Sequence, residues 1–533
     1  MLLSNVNSMK NIAIKTSRFL LMGLLTYGTL SCEDFLDKEP LADLTENNFF
    51  KTQAQATEAL IGTYDVLQWN TVSGYHTTPL VLDILSDDSY SGGQPSSEPS
   101  LLEMDRHRVL TTNGEVWGLY KKHYVGISRA NALLSNIDAI EAPEDFKKRT
   151  KAEAKFLRAH FYLDLVRFYE NVPLILEPLA PSEYNQPAAT PKEVYNQIAK
   201  DLVEAMADLP SSNLRASGGR ATRWAAKALL ARAYLFYKGV YNQEMQAGDV
   251  TVDAQYARQQ LEEVITQSGH ALLDNYADNF TRANEFSIES VWEISYSDEN
   301  PWWDWGYIHG GEGNMQPQQQ GPRIREATGL NYVAGWSTAT PTQELYNAFS
   351  NDDPRREATI LTEEEVGGRS NLNLGYQHTG YFSKKYTTSV EYLREDGQLE
   401  LNWGNNYRSI RFSDVLLMAA ELSVLTGTDG QDYLDRVRRR VDLDPVLATL
   451  ENIRQERRLE LALEGIRYWD LLRYGLNDAN AAITVNRSSL PANYVGSLSD
   501  FNIQFNTARK GFLPIPQSEI DLSAGTLTQN SGY

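Results

Sequence analysis

Residues 453–473 decide the fold and read IRQERRLELALEGIRYWDLLR. Leu459, Ile466 and Trp469 lie on one apolar stripe, because apolar residues recur here at the spacing of a helix face. Gly465 interrupts that pattern, so the sequence predicts two helices that meet at a bend. Charged residues three positions apart occupy neighbouring positions on a helix and are expected to pair. Four such pairs are present: Arg457 with Glu460, Glu464 with Arg467, Arg467 with Asp470, and Asp470 with Arg473.

The charged residues of this stretch indicate either acid–base chemistry or a structural role. The stretch contains no nucleophile, no histidine base and no set of metal ligands. Paired charges beside a stripe of tryptophan and leucine usually tie helices together rather than perform chemistry. We therefore predict that these charged residues hold the fold.

The same stretch resembles the signature ERR-x-E-L-x-x-E-G-x-R-[WY]-x-D-L-x-R of the SusD/RagB family, outer-membrane lipoproteins that capture nutrients in Bacteroidetes-type bacteria. The match starts at Glu456 and ends at Arg473. The resemblance spans nearly the whole chain from Cys32 to Tyr533, and it implies a single SusD-like domain over residues 32–533. Further runs similar to the family lie at residues 151–174, 219–237, 341–356, 411–421, 512–516 and 529–533.

Two helical runs, at residues 154–163 and 226–235, resemble each other, and a weaker third copy lies near Leu417. Small alanines that alternate with bulky residues let helix pairs approach closely, as tetratricopeptide-like repeats require. The helices that pair with the first two copies are predicted at residues 192–209 and 254–267. The sequence therefore predicts an all-α fold of tetratricopeptide-like helix pairs with long loop insertions.

The composition is that of a folded, strongly acidic protein. The chain has 533 residues, of which 22% are charged and 42% hydrophobic, with a formal net charge of −21. Residues 1–31 contain three basic and no acidic side chains, so the 46 basic and 70 acidic residues that follow give −24. Such a body repels phosphate backbones, and we expect no nucleic acid as a partner.

The amino terminus has the layout of a secretory signal. Lys10, Lys15 and Arg18 precede a short apolar run at residues 19–25. That run is too short to span a bilayer comfortably. We therefore predict that residues 1–31 form a signal peptide.

Cys32 is the only cysteine of the chain and follows the small residue Ser31. This order resembles bacterial lipoprotein signals, in which the cysteine is acylated, for example with palmitate, and becomes the new amino terminus. Thr29 stands where the usual signal has leucine, which loosens the match. The alternatives are a lipid anchor at Cys32 and a plain signal peptide followed by an unmodified cysteine. We predict the lipid anchor.

Residues 295–336 break from the helical pattern and contain three tryptophans within four positions. In an extended segment Trp303 and Trp305 share a face and Trp302 takes the other. A sugar ring lies flat on an indole, while its hydroxyls need Asp, Asn or Gln at the rim. Asn300, Gln316 and residues 318–320 are close in sequence and supply such groups. We predict ligand contacts from Trp302, Trp303, Asp304, Trp305 and Tyr307.

The alternative for this segment is that its tryptophans anchor a long loop onto the helices. We favour exposure of at least one of them, because loops carry function and an aperiodic tryptophan triplet is poor core design. An earlier loop over residues 69–102 is a second candidate for ligand contact. Its candidate residues are Trp69, Tyr75, Asp87, Asp88 and Tyr90.

Other chemistry is thin in this sequence. The seven histidines form no HExxH motif, and the glycine-rich stretches lack GxxxxGK[ST]. Pairs of carboxylates are abundant in so acidic a chain, so a glycosidase pair has no support at this level. We therefore predict no catalytic residues, no metal site and no cofactor, and leave a requirement for calcium open.

The family resemblance implies a function that the residues alone do not. It implies a lipid-anchored protein on the extracellular face of the outer membrane that binds an oligo- or polysaccharide. It also implies delivery of that glycan to a SusC-like TonB-dependent transporter in the same membrane. Two alternatives remain: an oligopeptide-binding uptake lipoprotein of the RagB type, and a surface glycoside hydrolase.

Overall fold

The fold is built mainly from α-helices. The computed structural model describes residues 50–70, 76–94, 99–299, 301–303, 311–394, 396–498 and 501–533. These ranges contain seventeen α-helices and eight strands of three to five residues, so the predicted helical class is confirmed. None of the described helices is long and apolar enough to cross a bilayer. The predicted signal peptide and Cys32 lie outside the described residues.

Eight helices precede the tryptophan-rich segment and nine follow it. The first eight are α1 (Gln53–Gln68), α2 (Thr78–Leu85), α3 (Pro99–Asp105), α4 (Gly114–Asn136), α5 (Glu144–Tyr169), α6 (Pro191–Asp208), α7 (Arg223–Tyr241) and α8 (Ala254–Gln267). The other nine are α9 (Gln316–Gln320), α10 (Gln343–Ala348), α11 (Arg355–Thr359), α12 (Phe412–Leu425), α13 (Gln431–Arg440), α14 (Leu450–Glu460), α15 (Arg467–Tyr474), α16 (Leu476–Ile483) and α17 (Gln517–Leu522).

The strands form four separate two-stranded antiparallel pairs. The pairs are β1 (Ser89–Ser91) with β5 (Ala339–Pro341), β2 (Met245–Ala247) with β3 (Val250–Val252), β4 (Ser290–Ile294) with β8 (Tyr407–Arg411), and β6 (Ile360–Thr362) with β7 (Tyr381–Ser383). Three of the four pairs join residues far apart in sequence, so they close long loops onto the helices.

Helices α4 to α8 pack against their neighbours in chain order, and α12 packs on α8. The helix starts are fixed locally: Thr190 and Glu193 form a capping box at α6, and the Thr222 hydroxyl accepts from Ala225 N–H at α7. The alanines of the two repeated runs, such as Ala154 and Ala226, are fully buried between helices. The predicted tetratricopeptide-like pairing is therefore confirmed, with the partner helices within two residues of the predicted bounds.

The signature stretch bends as predicted. Helix α14 ends at Glu460 and α15 begins at Arg467, and Gly465 between them has a φ of +67°. A Cβ atom at Gly465 would lie 2.8 Å from the Cα of Pro79 in α2. Only glycine combines this backbone conformation with so close an approach.

The local ion pairs predicted for this stretch are mostly wrong. The pair of Asp470 with Arg473 forms at 2.8 Å. Arg457 instead binds Asp470 at 3.0 Å and Asp414, while Arg467 binds Asp87 at 2.8 Å. The charged groups are buried, and partners from distant segments reach them in geometries that the helix surface does not provide.

One buried network explains why this stretch holds the fold. The guanidinium of Arg411 on β8 lies 2.9 Å from Glu289, 2.8 Å from Glu460 and 2.8 Å from Glu464. Arg440 of α13 adds a second cation 2.6 Å from Glu460. These charged groups come from the segment before β4, from β8, from α13, from the end of α14 and from the bend that follows α14. The structural role predicted for the charged residues is confirmed.

Residues Thr52–Tyr533 pack as one unit. Inside it, the helices form a scaffold and the connections between β4 and α9 and between β7 and β8 lie outside the helix pairs. The predicted domain start at Cys32 lies outside the described residues, so the limits of the single domain stay a prediction.

Candidate functional site

The backbone of Trp302 is fixed by an asparagine one hundred positions away. Trp302 N–H donates to Asn402 Oδ1 at 2.7 Å, and Asn402 Nδ2 donates back to the Trp302 carbonyl at 2.8 Å. Gln398 N–H also donates to that carbonyl, at 2.8 Å. Asn402 is buried. These two hydrogen bonds between one side-chain amide and the Trp302 backbone fix the position of that backbone.

Glycines allow two segments to lie directly on this tryptophan. A Cβ at Gly311 would lie 3.1 Å from the Cβ of Trp302, and a Cβ at Gly397 would lie 2.7 Å from the Cβ of Pro301. Gly397 also has a φ of +78°, which disfavours other residues. The Trp302 ring is half-buried, and its Nε1 is buried with no hydrogen bond.

Trp303 is exposed over 69% of its surface. The expectation that at least one tryptophan of the triplet is exposed therefore holds. The predicted arrangement, with Trp303 and Trp305 on one face and Trp302 on the other, stays a prediction, because Trp305 lies outside the described residues. This exposed indole directly follows the Trp302 backbone that Asn402 and Gln398 hold, and it offers an apolar platform. Such a platform is a common feature of sites that bind flat or ring-shaped ligands.

The far side of the tryptophan segment is anchored to the same loop. Asn314 N–H donates to the Trp403 carbonyl at 2.6 Å, and its Nδ2 donates to the Asn405 carbonyl at 2.7 Å. A Cβ at Gly313 would lie 1.9 Å from the carbonyl oxygen of Leu401, so the backbones touch. Both described ends of the segment are thus held by residues 397–405, which we call the anchor loop.

The anchor loop and the residues before it carry polar side chains. Gln398 Nε2 donates to Glu400 at 2.6 Å, and Arg394 pairs with the exposed Asp396 at 2.8 Å. Gln398 and Glu400 are half-buried. An aromatic surface with amide and carboxylate groups at its edge matches the needs of a ligand that has both apolar faces and hydroxyls.

The predicted candidates in the earlier loop have partners inside the protein. Trp69 Nε1 donates to Asp65 at 3.0 Å, and the Arg129 guanidinium lies 4.9 Å from the centre of the Trp69 ring. Asp87 is buried and accepts hydrogen bonds from Arg467 Nε at 2.8 Å and from Arg467 Nη2 at 2.9 Å. These contacts give Trp69 and Asp87 structural roles, and their predicted ligand contact stays without support.

Tyr90 and Asp88 are also inside the protein. Tyr90 lies on β1, is buried, and meets Phe501 edge to face with ring centres 5.3 Å apart. Asp88 is fully buried and lies 2.9 Å from Arg458. That Tyr90 and Asp88 bind a ligand stays a prediction, and their contacts inside the protein do not support it. Four further candidates lie outside the described residues: Tyr75, Asp304, Trp305 and Tyr307.

The glutamines expected at the rim of the site are buried, so that expectation is wrong. Gln316 and Gln318–Gln320 form α9, and all four are less than a tenth exposed. Gln319 Oε1 accepts from Thr77 N–H at 3.4 Å and Gln320 Nε2 donates to Asp83 at 3.4 Å. The fold uses these amides internally, where they bond to α2 and the residue before it.

Carboxyls with strongly shifted acidity are also committed to the fold. Burial raises the pKa of Asp83 to about 8, that of Asp105 to about 7 and that of Glu285 to about 7. Each accepts a hydrogen bond from a neighbouring group: Gly465 N–H, Gln377 Nε2 and Asn406 N–H, respectively. Within the described ranges, no group of three or more His, Cys, Asp or Glu side chains is arranged to hold a metal ion.

Sequence reasoning missed Asn402 and Gln398, which fix the tryptophan backbone. Neither residue belongs to a motif, and their distance of about a hundred positions from Trp302 leaves no periodic signal. The glycines at 311, 313 and 397 were the available hint, because glycines in a non-helical segment often mark a close backbone approach.

Helix pairs that carry an exposed aromatic segment on loops outside the repeats define a helical-repeat binding protein. Two family models match this chain. One is described as the SusD family and matches residues 288–533, and the other, described as starch-binding associating with the outer membrane, matches residues 34–235. Together they account for most of the sequence.

Solved structures with the same fold share a substantial part of the sequence. A laminarin binding SusD-like protein is 34% identical with a TM-score of 0.78, over 91% of this chain and 100% of that chain. Surface glycan-binding protein A from Bacteroides thetaiotaomicron, in complex with laminarihexaose, is 29% identical with a TM-score of 0.78, over 90% of this chain and 100% of that chain.

A curated relative agrees with these structures. SusD-like protein P25 from Formosa agariphila is 26% identical over 505 residues, which cover 87% of this chain and 90% of that protein. The chain belongs to the SusD family, as its signature predicted.

Proposed function

We propose that this protein binds a laminarin-type glucan at the surface formed by Trp302, Trp303 and the anchor loop. The single observation that carries the proposal is the 69% exposure of Trp303, next to a Trp302 backbone that Asn402 and Gln398 hold. It is supported by two relatives of the same fold, one named as laminarin binding and one in complex with laminarihexaose.

Binding at this surface requires no covalent chemistry. A pyranose ring presents a face of C–H groups that covers the exposed indole of Trp303 and removes apolar area from water. Because Asn402 and Gln398 already hold the backbone of the neighbouring Trp302, we expect less conformational entropy to be lost when the sugar arrives. Gln398 and Glu400 of the anchor loop supply hydrogen-bonding groups, and the absence of covalent bonds keeps release of the sugar fast.

We further propose that the protein is anchored to the outer membrane through a lipid on Cys32, on the extracellular face. There it passes glucan to a SusC-like TonB-dependent transporter. The signal-like order of residues 1–32 and the description of the matching family model as associating with the outer membrane support this part. Two or more acyl chains on the cysteine suffice for stable anchoring.

The binding surface is tested with Trp303→Ala and titration calorimetry against laminarin and laminarihexaose. The variant loses the stacking platform, and we expect glucan affinity to fall by about five- to thirtyfold, since stacking on an indole contributes on the order of 1–2 kcal/mol. The melting temperature stays unchanged because the side chain is exposed. Trp303→Phe retains part of the affinity.

Tyr184→Ala is the matched control, because Tyr184 is exposed over 66% of its surface and lies between α5 and α6. Its removal leaves glucan affinity unchanged. Equal affinities of Trp303→Ala and the unaltered protein refute the site. Binding of a peptide library without binding of glucans favours an oligopeptide receptor, and new reducing ends in the glucan favour a hydrolase.

A further inference from the structure

A cavity of about 60 Å³ lies where the helix pairs meet the signature stretch. Its walls come from the starts of α2 and α15, from α4, α5 and α7, and from the strand pair β4–β8. Neither Trp302 nor Trp303, the described tryptophans of the triplet, lines it. An internal space of this size holds a few waters or a small ion.

Positive charge dominates the side chains around the cavity. Lys122, Arg167 and Arg232 line it, and Asp164 is its single carboxylate among the described residues. Arg232 is balanced outside the cavity by Asp414, which lies 2.6 Å away. Asp164 pairs with Arg167 and acts on Lys122 only from a distance, so Lys122 makes no direct ion pair with a described carboxylate. Lys122 Nζ donates only to neutral oxygens, the nearest being the Leu67 carbonyl at 3.1 Å.

The two histidines that line the cavity add no negative charge to it. His160 is buried beside Asp164, and burial lowers its pKa to about 4, so it is neutral at pH 7. His123 bonds through Nδ1 to the Leu119 carbonyl at 2.6 Å and lies 3.6 Å from Asp164 through Nε2. The cavity therefore carries about one uncompensated positive charge.

Unused hydrogen-bond donors occur in the same walls. Four buried polar atoms in lining residues make no hydrogen bond: Thr77 Oγ1, His160 Nδ1, Arg232 Nε and Trp469 Nε1. Arg232 Nε–H and Trp469 Nε1–H only donate, and the hydroxyl and the imidazole are able to donate too. Buried polar groups in folded proteins are nearly always satisfied, so this cluster calls for an acceptor inside the cavity.

Two helix starts add partial positive charge. Thr78 and Pro79 in the first turn of α2, and Ile466 directly before α15, line the cavity. Neither helix has a side-chain cap at its start, so its first amide groups are not neutralised by an oxygen of the cap residue. Amide groups at a helix start favour a negative charge.

We propose that this cavity binds a small monovalent anion, such as chloride, that joins α2, α5, α7 and α15. Water would satisfy the unused donors but would leave the charge of Lys122 uncompensated in the interior. One anion would accept hydrogen bonds from several of the unused donors, and its negative charge would compensate that of Lys122. The proposal is independent of glucan binding, since it uses none of the residues at the tryptophan segment.

The test compares thermal unfolding of the purified protein in sodium chloride and in sodium gluconate at equal ionic strength. Gluconate is too large for the cavity, so the melting temperature should be about 1–2 °C higher in chloride and should saturate with concentration. Lys122→Met removes the difference between the salts. Lys155→Met keeps it, because Lys155 is partly exposed and pairs with Glu204 at the surface.

A second measurement protects the test if Lys122→Met fails to fold. Crystals of the unaltered protein are soaked in sodium bromide, and anomalous scattering is recorded. A bromide peak within hydrogen-bonding distance of Lys122 and Arg232 supports the proposal. Equal melting temperatures in the two salts, or a cavity without anomalous density, overturns it.

Discussion

At the residue scale, the contact between Gly465 and Pro79 determines what position 465 tolerates. Gly465 has a φ of +67° and would place a Cβ 2.8 Å from the Pro79 Cα, whereas Gly427 has a φ of +69° and no atom within 4 Å of its Cβ position. Alanine at 427 therefore tests the backbone conformation alone, at about 1–2 kcal/mol. Alanine at 465 adds a clash between two backbones, and we expect a further 1–3 kcal/mol, approximately.

Urea unfolding of Gly465→Ala and Gly427→Ala measures this difference directly. The free energy of unfolding should fall further for the 465 variant. Similar losses for the two variants would mean that α2 moves away from the bend at little cost, and that the close approach is not required.

Asp83 makes stability depend on pH. It is buried, and burial raises its pKa from 3.8 to about 8. A folded-state pKa above the unfolded one means that the contribution to stability is full below about pH 4 and is lost as pH rises through 8. Gly465 N–H donates to one Asp83 oxygen at 2.8 Å, so the effect acts on the bend itself.

Asp83→Asn should therefore flatten the decline in stability between pH 4 and pH 8. The amide stays neutral over that range and still accepts from Gly465 N–H through its oxygen. Chemical unfolding at several pH values gives the comparison, and part of the decline remains because burial also raises the pKa of Asp105 to about 7. A variant with the same pH profile as the unaltered protein would show that Asp83 is charged in the folded state.

At the scale of elements, Arg411 joins β8 to α14 and to the segment before β4. It is fully buried and contacts Glu289, Glu460 and Glu464. Arg411→Met removes the buried positive charge that pairs with these three carboxylates. We expect the free energy of unfolding to fall by about 3–5 kcal/mol. Guanidinium unfolding measures it.

Lys384→Met is the control for Arg411. Lys384 pairs with Glu365 at 2.7 Å, and both side chains are partly exposed. Loss of such a surface pair costs under about 1 kcal/mol. If both variants lost the same amount, the buried network would contribute no more than a surface ion pair.

The elements were predictable where local sequence determines them. Alanine spacing placed α5 to α8 because their packing faces repeat along one helix, and Gly465 marked the bend because only glycine fits there. Apart from the pair of Asp470 with Arg473, the ion pairs of α14 and α15 were not predictable. Their partners Asp87, Asp414 and Arg411 come from segments tens to hundreds of positions away.

The site was predictable only in its aromatic part. Three tryptophans in four positions outside any helical pattern indicated exposure, and Trp303 is exposed. The surrounding polar groups were placed wrongly because residue type suggested that Gln318–Gln320 face solvent, whereas α9 buries them. The role of Asn402 was not predictable, because a single asparagine about a hundred positions from Trp302 belongs to no sequence pattern.

At the scale of the whole molecule, scaffold and binding surface occupy different parts of one unit. Helix pairs supply a rigid body, and the tryptophan segment and anchor loop lie on connections that the repeats do not constrain. Loops of this kind change sequence without loss of the core, so a family with one scaffold is able to serve many ligands.

A comparison of Cys32→Ala with Trp303→Ala distinguishes the proposed role of the lipid anchor from that of the binding surface. Cys32 precedes the unit of residues Thr52–Tyr533 that carries Trp303, so its replacement should abolish palmitate labelling in cells and leave the glucan affinity of the purified protein unchanged. Trp303→Ala should keep the label and lose affinity. Growth on the glucan should slow in both strains, because the first loses its high local concentration at the transporter and the second loses capture. A labelled Cys32→Ala protein, or normal growth of that strain, contradicts the lipid anchor at this residue.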